Sequence, residues 1–113
     1  MMAGERNAVV AGPDLDGLGD ALEAEGVAVS RVDGLANRPA LEDAGINEAD
    51  VFVLTDVGQA TSIPVVVDLV GRIRIVVYSR DSLPEFAKGQ ADLLVDPALL
   101  DAKTVAEELT ADG

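Results

Sequence analysis

The chain contains no cysteine, no histidine and no tryptophan. Thiol nucleophiles, imidazole bases, disulfides and the usual zinc ligands are therefore excluded together, which leaves metal-free or carboxylate-only chemistry. Long apolar runs are missing too. The longest uncharged stretch, Val57 to Val67, carries Gly58, Gln59, Thr61, Ser62 and Pro64 and falls far short of the roughly 18 residues a membrane span needs. The opening MMAGERN has no apolar signal core, so the expectation is a cytoplasmic protein with no membrane insertion. At 113 residues there is room for one core and not for a separate catalytic domain.

Positive charge is scarce. Eight basic residues, of which only Lys88 and Lys103 are lysines, face 21 acidic ones, for a net charge of −13. Nucleic acid and anionic membrane surfaces are poor partners for such a surface. The acids are scattered over every predicted helix and form no acidic tail, and 49% apolar residues make the chain globular. Acid-rich, lysine-poor and alanine-rich composition resembles that of cytosolic proteins of salt-loving archaea. In molar salt the Debye length falls to about 3 Å, which screens self-repulsion, so low-salt instability is expected.

What is present is a regular alternation of short apolar runs and helical periodicity. Ala8–Ala11 reads as a strand ending at Gly12-Pro13-Asp14, and Asp16–Glu25 as a helix with Leu15, Leu18, Ala21 and Leu22 at helical spacing. Gly26 closes that helix, and Val27–Val32 is a second strand ending at Asp33-Gly34. Asn37 caps a short helix that buries Leu41, Ala44 and Ile46. The strand Val51–Leu54 shows no in/out alternation, so helices must cover both of its faces. Gly58–Val70 has strand-like valines, yet its place between two strands demands a crossover helix starting near Thr61 or Ser62, with Pro64 in its first turn. Ile73–Tyr78 is a fourth strand ending at Ser79-Arg80-Asp81. Ser82-Leu83-Pro84-Glu85 reads as a capping box for a short helix closed by Gly89. Leu93–Val95 is a fifth strand, and Asp96-Pro97 starts a last helix with Leu99, Leu100, Val105 and Leu109 on its packed face. The predicted fold is a three-layer α/β sandwich over residues 8–110, doubly wound, with a five-stranded parallel sheet in the Rossmann or flavodoxin-like order 2-1-3-4-5. Residues 1–7 are expected to form a disordered tail.

From Leu35 onward the order of features resembles the nucleotide-binding N-terminal domain of potassium-channel and Trk-transport regulators, the RCK or TrkA-N family. The residues that carry the likeness are Leu41, Ala44-Gly45-Ile46, Ala49-Asp50, Val51–Leu54, Val76–Tyr78, Arg80-Asp81 and Gly89-Gln90-Ala91-Asp92. The likeness implies a nucleotide-sensing module that binds NAD or an adenine nucleotide and dimerises through helices after the later strands, here Ile63–Val70. The chain departs from the family in two ways. One helix-strand unit between Val32 and the Ala-Gly-Ile helix is missing, which leaves the order 2-1-3-4-5. The glycine motif is altered to Gly12-x-Asp14-x-x-Gly17, and an Asp at its second position opposes a pyrophosphate by bulk and charge. Asp16 and Asp20 add to that charge, and Asp33 stands where a ribose hydroxyl would be held.

The same strand order is that of response-regulator receivers, and Val53-Leu54-Thr55-Asp56-Val57 looks like the strand that carries their phospho-accepting Asp, with Ser79 at the position of their hydroxyl. Asp96-Pro97 stands where receivers have Lys-Pro, and Gly12-Pro13 replaces their acidic pair. Phosphoryl transfer then lacks its charge neutralisation. A magnesium site from Asp14, Asp33 and Asp56 is a further reading; its alternative is solvated turn and cap residues. Arg80 suits either an anionic ligand or an ion pair to Asp81 or Asp56. The expected lining of a ligand site is Gly12, Asp14, Gly17, Asp33, Thr55, Asp56 and Arg80, with no catalytic residue and no metal. The rival expectation is a ligand-free, receiver-like protein-interaction module, in which Leu15 or Leu35 would fill the crevice.

Overall fold

The structure, a computed structural model, describes residues 6–111. Five parallel strands form one sheet in the order β2-β1-β3-β4-β5, as the sequence predicts. They are β1 (Asn7–Ala11), β2 (Ala28–Val32), β3 (Val51–Leu54), β4 (Arg74–Tyr78) and β5 (Leu93–Val95). Between and after them run α1 (Leu18–Ala24), α2 (Arg38–Asp43), α3 (Ser62–Leu69), α4 (Glu85–Lys88) and α5 (Ala102–Thr110). Residues 1–5 of the expected tail lie outside the described residues, and Asn7 already belongs to β1.

Strand parity divides the core in two. Val9, Ala11, Phe52, Leu54, Ile75 and Val77 face α2, α3 and α4 and pack on Leu41, Ile63, Val66 and Ala87. Ala8, Val10, Val51, Val53, Val76, Tyr78 and Val95 face α1 and α5 and pack on Leu18, Leu22, Val105 and Leu109. The central strand β3 is buried on both faces throughout, which explains its unbroken apolar run. Each such side chain contributes about 1.5–3 kcal/mol on burial.

The valine-rich segment after β3 is helical, as topology requires. Its Ile63 and Val66 are fully buried in the chain's own core, whereas Val65, Leu69 and Val70 are only partly buried and Val67 is exposed.

Three local expectations are corrected. α1 begins at Leu18, not Asp16, because Gly17 adopts a left-handed conformation with φ 77° and ends the preceding turn; Leu15 lies outside the helix and is 91% exposed. α5 begins at Ala102 with Asp101 as its cap, Oδ1 accepting from Thr104 N at 2.9 Å. Asp96 instead closes a turn, its Oδ1 accepting from Ala98 N, and Leu99 and Leu100 are exposed. The capping box at Ser82 does not form: Pro84 is the residue before α4 and no side chain caps that helix.

Candidate functional site

All strands run the same way, so the loops after β1, β3 and β4 converge at the C-terminal end of the sheet, where ligands bind in open α/β folds. Gly12 is the pivot. Its φ of 100° lies in the region that favours glycine, and a Cβ there would meet Thr55 Oγ1 at 2.5 Å and the Asp56 backbone N at 3.0 Å. The β1 and β3 loops therefore touch backbone to side chain. Thr55 donates its hydroxyl to Pro13 O at 2.6 Å, with Ala11 O at 3.2 Å. Asp56 turns the other way and caps the 3-10 turn Val57–Gln59, Oδ1 accepting from Gly58 N at 2.9 Å. Parity explains the split. Thr55 continues the Val51, Val53 face of β3, whereas Asp56 continues the Phe52, Leu54 face.

Asp14 occupies the start of α1. Its Oδ1 accepts from Leu18 N at 2.9 Å and its Oδ2 from Gly19 N at 2.8 Å. Arg31 on β2 donates to the same Oδ2 at 2.9 Å and to Asp20 at 3.0 Å. Hydrogen bonding to Asp14, opposed by partial burial, raises the Arg31 pKa further above its ordinary value. Gly19 makes room for this arrangement, since a Cβ there would lie 2.7 Å from both guanidinium nitrogens and 2.8 Å from Asp14 Oδ2. A carboxylate of the chain itself thus sits on the amides that a bound phosphate would use.

Beside this floor opens a crevice of about 270 Å³, lined by Pro13, Asp14, Leu15, Asp16, Thr55 and the stretch Tyr78–Asp81. Arg80 reaches across its mouth to Asp16 in a two-pronged ion pair, Nη1 to Oδ2 at 3.0 Å and Nη2 to Oδ1 at 3.2 Å. The partner is therefore neither Asp81 nor Asp56, the two acids that the sequence suggests. The hydrogen bond to Asp16 raises the Arg80 pKa above its ordinary value. Tyr78 is buried against α1 and α5 and donates its hydroxyl to Leu100 O at 2.8 Å. Burial first, then the charges of Asp16 and Asp101, push its pKa up.

Of the expected lining, Asp14, Thr55 and Arg80 meet in the crevice, with Gly12 beneath and Gly17 ending the loop above. Asp33 is exposed at the end of β2 and Asp56 faces the 3-10 turn, and neither lines the crevice. Asp14, Asp33 and Asp56 do not come together, and among the described residues no three acidic side chains are grouped to hold a metal ion. Neither Leu15 nor Leu35 fills the opening; both are exposed. Arg31, Gly19 and Tyr78 are site residues that sequence reasoning misses. The pair Gly17-x-Gly19, with one glycine more than a turn requires, is the signal that could find them.

The fold, a parallel sheet in the order 2-1-3-4-5, is shared with solved response-regulator structures. The orphan response regulator HP1043 of H. pylori superposes with a TM-score of 0.73 at 17% identity, over 96% of each chain. A Burkholderia pseudomallei protein described as pilus assembly-related gives 0.70 at 17%, over 98% of this chain and 91% of the other. A response regulator of the same organism, solved with a phosphorylated aspartic acid, a calcium ion and citrate, gives 0.61 at 21%, over 96% of this chain and 72% of the other. The chain itself belongs to the family of unknown function DUF7126, which matches residues 8–109. No curated protein matches it.

Proposed function

We propose that this chain is a receiver-shaped protein-interaction module that works without a phosphorylation cycle and without an enzymatic step of its own. The observation that carries this reading is the side chain presented to the crevice at the end of β3. It is Thr55, with its hydroxyl on the Pro13 carbonyl, while Asp56 is turned to the amide of Gly58. A phosphoryl acceptor needs a free carboxylate beside groups that neutralise developing charge. Here the neighbouring acid is bonded to the α1 amides and to Arg31, and Arg80 is paired with Asp16. Incubation with acetyl phosphate and magnesium, followed by intact mass measurement, is expected to leave the mass unchanged. A phosphoryl adduct on Asp56 would overturn the reading.

The second reading is a nucleotide sensor akin to the RCK or TrkA-N domains, with NAD or an adenine nucleotide as ligand. The open crevice, which neither Leu15 nor Leu35 closes, favours it. Against it stands Asp14 on the amides where the pyrophosphate would lie. The acidic surface, net −13, fits a chain adapted to high salt in either case, and its melting temperature is expected to rise between dilute buffer and molar KCl. No helix among the described residues is long and apolar enough to cross a membrane.

A further inference from the structure

Exposed leucines are ordinary when single, but at one corner of this molecule they are not single. The loop before α1 carries Leu15, 91% exposed, and the loop before α5 carries Leu99 and Leu100, 79% and 43% exposed. Helices α1 and α5 pack against each other on one face of the sheet, so the loops that lead into them stand side by side at its C-terminal end. Tyr78 joins them. It lines the crevice together with Leu15 and bonds the Leu100 carbonyl with its hydroxyl.

Both loops are held by their own hydrogen bonds. Leu15 sits in a turn closed by Gly17 N to Asp14 O at 3.1 Å, with Asp14 fixed to α1. Leu99 N and Leu100 N both donate to Asp96 O, at 2.8 and 3.2 Å, and Asp96 Oδ1 takes Ala98 N. Loops anchored in this way lose little backbone freedom when a partner covers them. Around the leucines stand Asp16, Asp96 and Asp101, and the charges of Asp16 and Asp101 converge on Tyr78. Two cations stand at this corner, Arg80, paired with Asp16, and Lys103 beside Asp101, so the carboxylates still outnumber them.

We propose that this rim, bearing Leu15, Leu99 and Leu100 among Asp16, Asp96 and Asp101, is the docking surface for a basic protein segment that presents apolar side chains between lysines or arginines. The inference rests on the interaction-module reading and names where the partner sits and what chemistry it carries. Apolar contact supplies affinity, and opposite charge supplies encounter rate and selectivity. The carboxylate surroundings repel acidic segments, which are the alternative amphipathic class.

The test is an NMR titration of the full chain with a synthetic amphipathic peptide of leucine and lysine, and with its leucine and glutamate counterpart. The lysine peptide is expected to give saturable shifts at residues 15–17 and 99–102, and the glutamate peptide none. The double variant Leu15→Ser with Leu99→Ser alters only exposed side chains and is expected to weaken binding at least about tenfold with its circular dichroism unchanged. Shifts centred on Phe86 and Leu94, the exposed pair on α4 and β5, would overturn this surface while leaving the interaction reading in place. Unsaturable shifts spread over all acidic residues, or no shift at all, would overturn it as non-specific attraction or absence of a site. Failure of the interaction reading itself would show separately, as a phosphoryl adduct or a saturable nucleotide response in the crevice.

Discussion

The floor and the rim of the same crevice lie a few residues apart in sequence and are built on opposite terms. On the floor, Gly12, Asp14 and Thr55 are locked by hydrogen bonds or by close packing. On the rim, Leu15 and Leu99 face solvent, and Arg80 and Asp16 form an ion pair whose arginine side chain is 58% exposed. Polar residues at the functional end of an α/β sheet therefore do not all point to a ligand. Those on the floor here satisfy backbone groups that a bound phosphate satisfies elsewhere, and the exposed apolar side chains are on the rim.

That contrast breaks first at Gly12. Gly12→Ala places a methyl against Thr55 in a conformation alanine resists, so a loss of about 3 kcal/mol in urea unfolding is expected. A loss below about 1 kcal/mol would mean that the β1 and β3 loops separate easily and that the floor is not locked. Asp14→Ala removes the acceptor for two α1 amides and for Arg31; about 2 kcal/mol is expected. Asp14→Asn should lose less, since its oxygen still accepts from one amide.

Tyr78 sharpens the comparison because it belongs to both regions. As the single tyrosine of the chain, it can be titrated by its absorbance near the phenolate band. Its folded pKa is raised by burial and by the charges of Asp16 and Asp101. The neutral phenol therefore contributes stability that is complete below the unfolded value of about 10 and lost as pH rises through the higher folded value. Titration in the folded state is expected to lag behind that in urea. Tyr78→Phe is expected to lose about 1 kcal/mol with its hydrogen bond to Leu100 O and to abolish that alkaline step.

The smallest effect belongs to the rim: Arg80→Ala is expected to leave the urea midpoint unmoved, and a clear loss would show that the pair fastens the two loops and belongs with the floor.

Most of the fold is legible in the sequence because it follows from parity and topology. The unbroken Val51–Leu54 run requires cover on both faces, and parallel crossovers require a helix where Val65-Val66-Val67 by propensity suggests a strand. The site is less legible. Strand parity alone turns Thr55 toward the crevice and Asp56 away from it, yet the aspartate is the more reactive group and competes for the role. The long-range pair of Arg31 and Asp14, 17 residues apart, leaves no local pattern. Helix starts are misplaced where two signals compete. Asp96-Pro97 outranks Asp101 as a sequence signal, and Leu15 fits the helical spacing although Gly17, in its left-handed turn, separates it from α1. Those two misplacements conceal the exposed leucines, which are the features that set the rim apart.

The most direct test of the account is an NMR titration of the chain in molar KCl with NAD, NADH, ATP, ADP and AMP, following the amides of Gly12, Leu18, Gly19 and Thr55. The account predicts no saturable shift at millimolar ligand, because Asp14 already holds the amides of Leu18 and Gly19, and Ala11 O that of Thr55. Saturable shifts at these four amides would contradict it and make the floor a nucleotide site.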